Sequence, residues 1–143
     1  GIVYPPGPLD RTQQKELSSE IKTAGGGGVD IVYDAVGGSY AEPAIRALNW
    51  EGRFLVIGFP AGIPSIPLNL ALLKSCQIVG VFWGSFCDRD PAQAQANHRQ
   101  IFEMAASGTL SPHLHAVMPL SEAPRALSQI EQRAVQGKIV LNP

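Results

Sequence analysis

The stretch from Gly25 to Gly38, Gly-Gly-Gly-Gly-Val-Asp-Ile-Val-Tyr-Asp-Ala-Val-Gly-Gly, constrains the fold of this chain more than any other. A helix cannot run through four consecutive glycines without a large entropic cost, so whatever precedes them stops there. Val29 to Val36 is then apolar and β-branched on both faces, the pattern of a parallel strand covered by helices on each side. At Val36-Gly37-Gly38 the Cβ atoms disappear, which lets a backbone or a ligand come close. Ser39 and Glu42 have the spacing of a capping box, so a helix is expected to open at once. Ligands of open parallel sheets sit outside the carboxyl ends of the strands, which makes Ala35 to Gly38 the first candidate site. A tight turn and nothing more is the competing reading of the same glycines.

The flanking segments repeat the theme. Ile2 to Tyr4 reads as a short strand stopped by Pro5-Pro6-Gly7-Pro8, and Thr12 to Ala24 as a helix with Leu17, Ile21 and Ala24 as its apolar stripe. After Ser39, the residues Ala41, Ala44, Ile45 and Leu48 keep helical spacing until Glu51-Gly52. Arg53 to Gly58 is a second buried strand that again ends in glycine, followed by Phe59-Pro60. Strand, helix and strand with short joints make a βαβ unit. Asn69 caps a short helix, Gln77 to Trp83 is the next strand, and Asp90-Pro91 opens a helix with Ala94, Ile101, Phe102 and Ala105 on its buried side. His113 to Met118, a helix capped by Ser121, and Lys138 to Leu141 complete the chain as strand, helix, strand.

The fold class is therefore α/β, a partial, doubly wound parallel sheet. With 143 residues the chain is long enough for one real core. Eleven basic against twelve acidic residues, scattered rather than clustered, give no electrostatic case for nucleic acid or a membrane surface. No apolar run approaches the length of a membrane span. Two cysteines cannot build a disulfide framework, so a reducing cytoplasmic setting is expected. The start at Gly1, without a methionine, reads as a piece cut from a longer protein.

Side chains suited to catalysis or metal binding are sparse. His113-x-His115 sets two imidazoles on one strand face, but no third ligand lies nearby, and solvent-facing or hydrogen-bonded histidines are the expectation. Cys76 and Cys87 lie too far apart for a zinc pair and read as buried or half-buried thiols. Asp30 and Asp34 share a strand face, with Asp30 exposed and Asp34 at the strand end beside the candidate groove. No G-x-S-x-G elbow supports a serine nucleophile. No catalytic side chain is expected.

Three phrases together resemble the medium-chain dehydrogenase/reductase superfamily, and in particular its zinc-free quinone oxidoreductase branch. The first is Gly28 to Gly37. The second is Gly52 to Phe59 with Asn69 to Lys74 and Val79 to Gly84, and the third runs from Pro119 to Ala123 and from Gly137 to Leu141. The resemblance implies the second half of a Rossmann-type nucleotide-binding domain over 1–108, and over 109–143 a return segment whose strands belong to a catalytic domain. It also implies NADPH as cofactor, no zinc, and a quinone or enone as hydride acceptor. Val36 and Gly37 would line the cofactor groove, Ile57, Gly58, Phe59 and Pro60 would run beside the nicotinamide, and Gly80, Val81 and Phe82 would border it. Lys138 would lie near the cofactor phosphates. The family pairs the Val79 to Trp83 strand with its twofold mate, so a homodimer is expected, with Trp83 and Phe86 as a subunit contact rather than a site wall.

One departure is as informative as these matches. A phosphate-cradling G-x-G-x-x-G is absent, and Gly25 to Gly28 cannot replace it, because a strand follows where a helix N-terminus must face the pyrophosphate. The expectation is a nicotinamide-side wall that is inactive by itself. A non-catalytic dimerisation or interaction module with a degenerate nucleotide fold is the alternative from another class, and an enoyl reductase of the same superfamily differs only in acceptor.

Overall fold

A computed structural model describes the whole chain, Gly1 to Pro143. It divides into two compact units, Gly1–Ser85 and Phe86–Pro143. In the first unit, helix α1 (Arg11–Ala24) precedes strand β1 (Val29–Asp34), and a 3-10 turn (Gly38–Tyr40) leads into α2 (Ala41–Ala47). Strand β2 (Leu48–Val56), helix α3 (Asn69–Lys74) and strand β3 (Gln77–Gly80) follow. The three strands form one parallel sheet in the order β1-β2-β3, with Val32 opposite Phe54 and Phe54 opposite Ile78.

Local chemistry accounts for the element ends. Asp10 caps α1, accepting from the Thr12 and Gln13 amides at 2.8 and 2.9 Å, while the Gln13 side chain takes the Asp10 N–H. This reciprocal capping box stands where the sequence reading placed none. The box expected at Ser39 and Glu42 does not form. Ser39 Oγ instead accepts from the Leu9 N–H at 2.8 Å, and Glu42 pairs with Arg46, so the helix starts through a 3-10 turn with no side-chain cap. Asn69 and Ser121 make no cap either: the capping positions are Leu68 and Glu122.

The core lies where α2 and α3 meet one face of the sheet. Ala41, Ile45, Leu48, Phe54 and Leu70 form it, with Val32, Val56 and Cys76 packed around them. Helix α1 packs on α2. The opposite sheet face is not covered as the apolar run of β1 suggested: Ile31 and Tyr33 remain 60% and 69% exposed. Two-sided burial is therefore a correction. Ile2 to Tyr4 is not a strand and covers no edge. It has no neighbour to pair with, and the segment is held by Tyr4 stacking on Tyr40 and by the Tyr40 hydroxyl donating to the Gly7 carbonyl.

Two further boundaries differ. The second strand begins at Leu48, and residues 49–52 bulge out between the Val29–Leu48 and Ile31–Arg53 pairs, with Glu51 at φ 60°. The third strand stops at Gly80, and Trp83 opens a helix, α4 (Trp83–Arg89), instead of closing a strand.

In the second unit, Asp90 caps α5 (Pro91–Ala106) by accepting from the Gln93 amide at 3.0 Å, with Pro91 in the first turn. Of its expected stripe only Ala94 is buried, while Ile101 and Phe102 are exposed. Strand β4 (Leu114–Pro119) pairs in parallel with β5 (Lys138–Asn142), and α6 (Ala123–Glu131) packs against β4 with Ala126 buried. The architecture is mixed α/β with parallel strands throughout.

Candidate functional site

The carboxyl ends of β1, β2 and β3 lie side by side, and hydrogen bonds carry the pairing beyond the strands. The Ile57 N–H donates to the Asp34 carbonyl and the Val81 N–H to the Val56 carbonyl, each at 2.9 Å. These bonds bring Val36, Gly37, Ile57, Gly58, Phe59 and Pro60 into one neighbourhood, with Gly80, Val81 and Phe82 on the far side of β2.

Asp34 turns the first of these ends. It is 8% exposed, and its Oδ1 accepts from the Val36 and Gly37 amides at 3.0 and 2.9 Å, so the chain leaves the strand two residues earlier than the apolar run suggested. Short acidic side chains make this turn because the carboxylate reaches backbone amides two and three positions on. Its Oδ2 is buried and makes no hydrogen bond. The sequence signal was there in Asp34-Ala35-Val36-Gly37, an acidic residue just before a glycine pair.

The two loops are then stitched together. The Ala61 N–H donates to the Val36 carbonyl at 2.9 Å, and the Gly38 N–H donates to the Gly62 carbonyl at 2.7 Å. Gly37 sits at φ 73°, ψ −147°, a region that side-chain-bearing residues avoid. A Cβ there would lie 2.7 Å from the Gly62 oxygen, and one on Gly38 would lie 2.5 Å from the Ala61 oxygen. These glycines therefore serve close backbone approach. Gly58 and Gly80 do something else: a Cβ on Gly58 would meet nothing nearer than 4.0 Å, and one on Gly80 nothing within that distance. Open space lies above both strand ends, bordered by the exposed rings of Phe59 and Phe82.

Lys138 lies in the second unit at the head of β5, its amide donating to the His113 carbonyl at 3.1 Å. His113 and His115 are exposed, and His115 Nδ1 accepts weakly from the Gln136 amide at 3.5 Å. Cys76 and Cys87 are free, half-buried thiols, and no three of the His, Cys, Asp and Glu side chains come together.

Comparison with known proteins identifies the family. The zinc-binding dehydrogenase family matches residues 8–141. The chain belongs to that family, within the medium-chain dehydrogenase/reductase superfamily. Quinone oxidoreductase-like protein 2 of Mus musculus is 37% identical over 122 residues, 85% of this chain and 35% of its own length. Prostaglandin reductase-3 of Mus musculus is 33% identical over 89 residues, 58% of this chain and 24% of its own. A mycobacterial structure complexed with NADPH superposes with a TM-score of 0.77 over 99% of this chain and 42% of its own, at 22% identity, a likeness of fold. This zinc-binding dehydrogenase chain thus spans about a third of the curated relative with the higher identity. The family name carries a zinc, but the residues here do not assemble a ligand set for one, and no step below goes through a metal.

Proposed function

We propose that this chain forms the nicotinamide-side wall of an oxidoreductase that moves hydride from NADPH to a quinone, and that it is inactive alone. The observation that supports this reading most is the pair of glycine-bearing loops, 35–38 and 58–62, bonded to each other at the carboxyl ends of adjacent parallel strands. That is where an open parallel sheet receives a ligand. The residues fit a flat apolar ring better than a phosphate. Gly58 and Gly80 leave room over the backbone, while Val36, Ile57, Phe59 and Val81 supply apolar surface. No glycine-rich turn opens a helix to cradle a pyrophosphate.

When bound, the nicotinamide supplies the hydride from its C4 carbon. The chain's own residues position and exclude. The loop bonds hold Gly37 and Gly58 at a set separation, Pro60 stiffens the second loop, and Phe59 and Phe82 keep water from one side of the ring. Lys138 would approach the cofactor phosphates, on the family resemblance alone. No acid or base is asked of any side chain here. The likeness to a prostaglandin reductase favours a second reading, in which the acceptor is an activated alkene. The same reading places the protein in the reducing cytoplasm, with its two thiols free. It also joins two copies through the exposed edge of β3. Light scattering that finds only monomer at working concentration would remove that seam.

An NMR titration of the chain with NADPH, read at the backbone amides of residues 35–38 and 57–62, tests the division of labour. No saturation of these amides at micromolar NADPH is expected, because the phosphates find no cradle at these loops. Micromolar saturation there would mean that the loops grip phosphate and that the half-wall reading is wrong.

A further inference from the structure

On the first unit, away from the strand ends, Lys15, Ser18 and Lys22 from α1, Arg46 from α2, and Leu70 and Lys74 from α3 line a groove of ≈ 430 Å³. The spacing of Lys15, Ser18 and Lys22 puts them on one face of α1. Four of the chain's eleven basic residues therefore meet in one place, in a protein of net charge −1, and no carboxylate lines the groove. Glu42, from the adjoining groove, is bound by Arg46 through Nε and Nη2 at 2.8 and 2.6 Å.

Helix ends explain part of this cluster. Lys22, Arg46 and Lys74 each stand in the last turn of a helix, where a cation is favoured by the macrodipole. But a helix end carries roughly half an elementary charge, and less in helices as short as α2 and α3. Several terminal carbonyls are already occupied: the Gly25 N–H takes that of Ile21, the Ser75 N–H that of Leu72, and Lys74 Nζ that of Leu48. Arg46 is paired with Glu42, and the three lysines that remain still exceed what these ends require. Burial first, and then the nearby Lys22, hold the pKa of Lys74 below the usual lysine value, with Cys76 opposing and Arg46 adding the least.

We infer that this groove binds a small phosphate-bearing molecule. Its volume suits a small ligand, its walls supply three lysine ammonium groups with the Ser18 hydroxyl beside them, and Leu70 gives it an apolar lining. The inference is independent of the nicotinamide reading, since it uses no residue of the strand-end loops.

Inorganic pyrophosphate is the probe, titrated into the labelled chain at constant ionic strength and followed by NMR. Saturable shifts at Lys15, Ser18, Lys22 and Lys74 are expected. Affinity should fall roughly tenfold in a Lys15→Gln, Lys22→Gln double variant, which removes two exposed cations without touching the core, and should be unchanged in Arg99→Gln, an exposed cation of the second unit. Equal affinity in the double variant, or shifts that rise without saturating, would overturn the inference. So would capture by anionic phosphatidylglycerol vesicles with no response to pyrophosphate, which would replace a soluble ligand by a lipid surface.

Discussion

Replacing Gly37 by alanine tests the stitched loops directly. Its φ of 73° and ψ of −147° lie in a region open almost only to glycine, where another residue costs roughly 1–3 kcal/mol. The new Cβ would lie 2.7 Å from the Gly62 carbonyl oxygen and 3.1 Å from Phe59 Cδ1. The first neighbour is backbone and cannot swing away, so the loops must part. That strains the 2.7 Å bond from the Gly38 N–H to the same oxygen, an overpacking cost of roughly 1–3 kcal/mol more. Together the change should destabilise the first unit by about 2–6 kcal/mol and lower its melting temperature by roughly 10 °C or more. Gly26→Ala is the control. Gly26 has a φ of 70° but nothing within 4 Å of an added Cβ, so only the backbone cost of about 1 kcal/mol applies. Thermal melts by circular dichroism compare the two. Equal melting temperatures would refute the argument that close loop contact, rather than backbone conformation alone, demands glycine at position 37.

Three other outcomes follow from the same structure. Asp34→Ala removes the acceptor for two amides and should cost about 1–3 kcal/mol in urea unfolding, whereas wild-type stability would mean that water replaces the carboxylate there. Ile45→Ala, in the core, should cost about 2–5 kcal/mol, while Tyr33→Lys on the open sheet face should stay within about 0.5 kcal/mol. The reverse order would mean that the wrong sheet face has been identified as covered. Because the folded-state pKa of Lys74 is lowered, the unfolded chain holds that proton longer. Stability should therefore rise with pH between the lowered value and the ordinary 10.5, and a Lys74→Met variant should lose that slope.

The order of elements was legible because hydrophobic period, glycine stops and the Asp90-Pro91 start are local signals. What failed was decided by partners distant in sequence. Ser39 and Glu42 have the spacing of a cap, but Leu9 lies 30 residues away from Ser39 and takes its hydroxyl, so the box cannot close. Trp83 ends an apolar run too short to distinguish strand from helix, and the chain turns into α4. Residues Ile31 and Tyr33 look like core in the sequence because β-branched and aromatic side chains suit any strand, yet α2 and α3 reach only the other face. At the candidate site, the glycines at 37 and 58 and the strand-end position were visible. The turn made by Asp34 was signalled by an acidic residue ahead of the glycine pair, but the bonds between the two loops were not visible, because backbone-to-backbone contacts leave little trace in residue type. The cationic groove was invisible for a related reason: Lys15, Lys22, Arg46 and Lys74 look scattered until three helices converge.

The measurement that bears most directly on the nicotinamide wall is an NMR titration with dihydronicotinamide riboside, which carries no phosphate and so has no claim on the cationic groove. Weak, saturable shifts confined to Val36–Gly37, Ile57–Pro60 and Gly80–Phe82 are predicted. Shifts elsewhere, or none at millimolar riboside, would contradict the assignment of these strand ends to the nicotinamide.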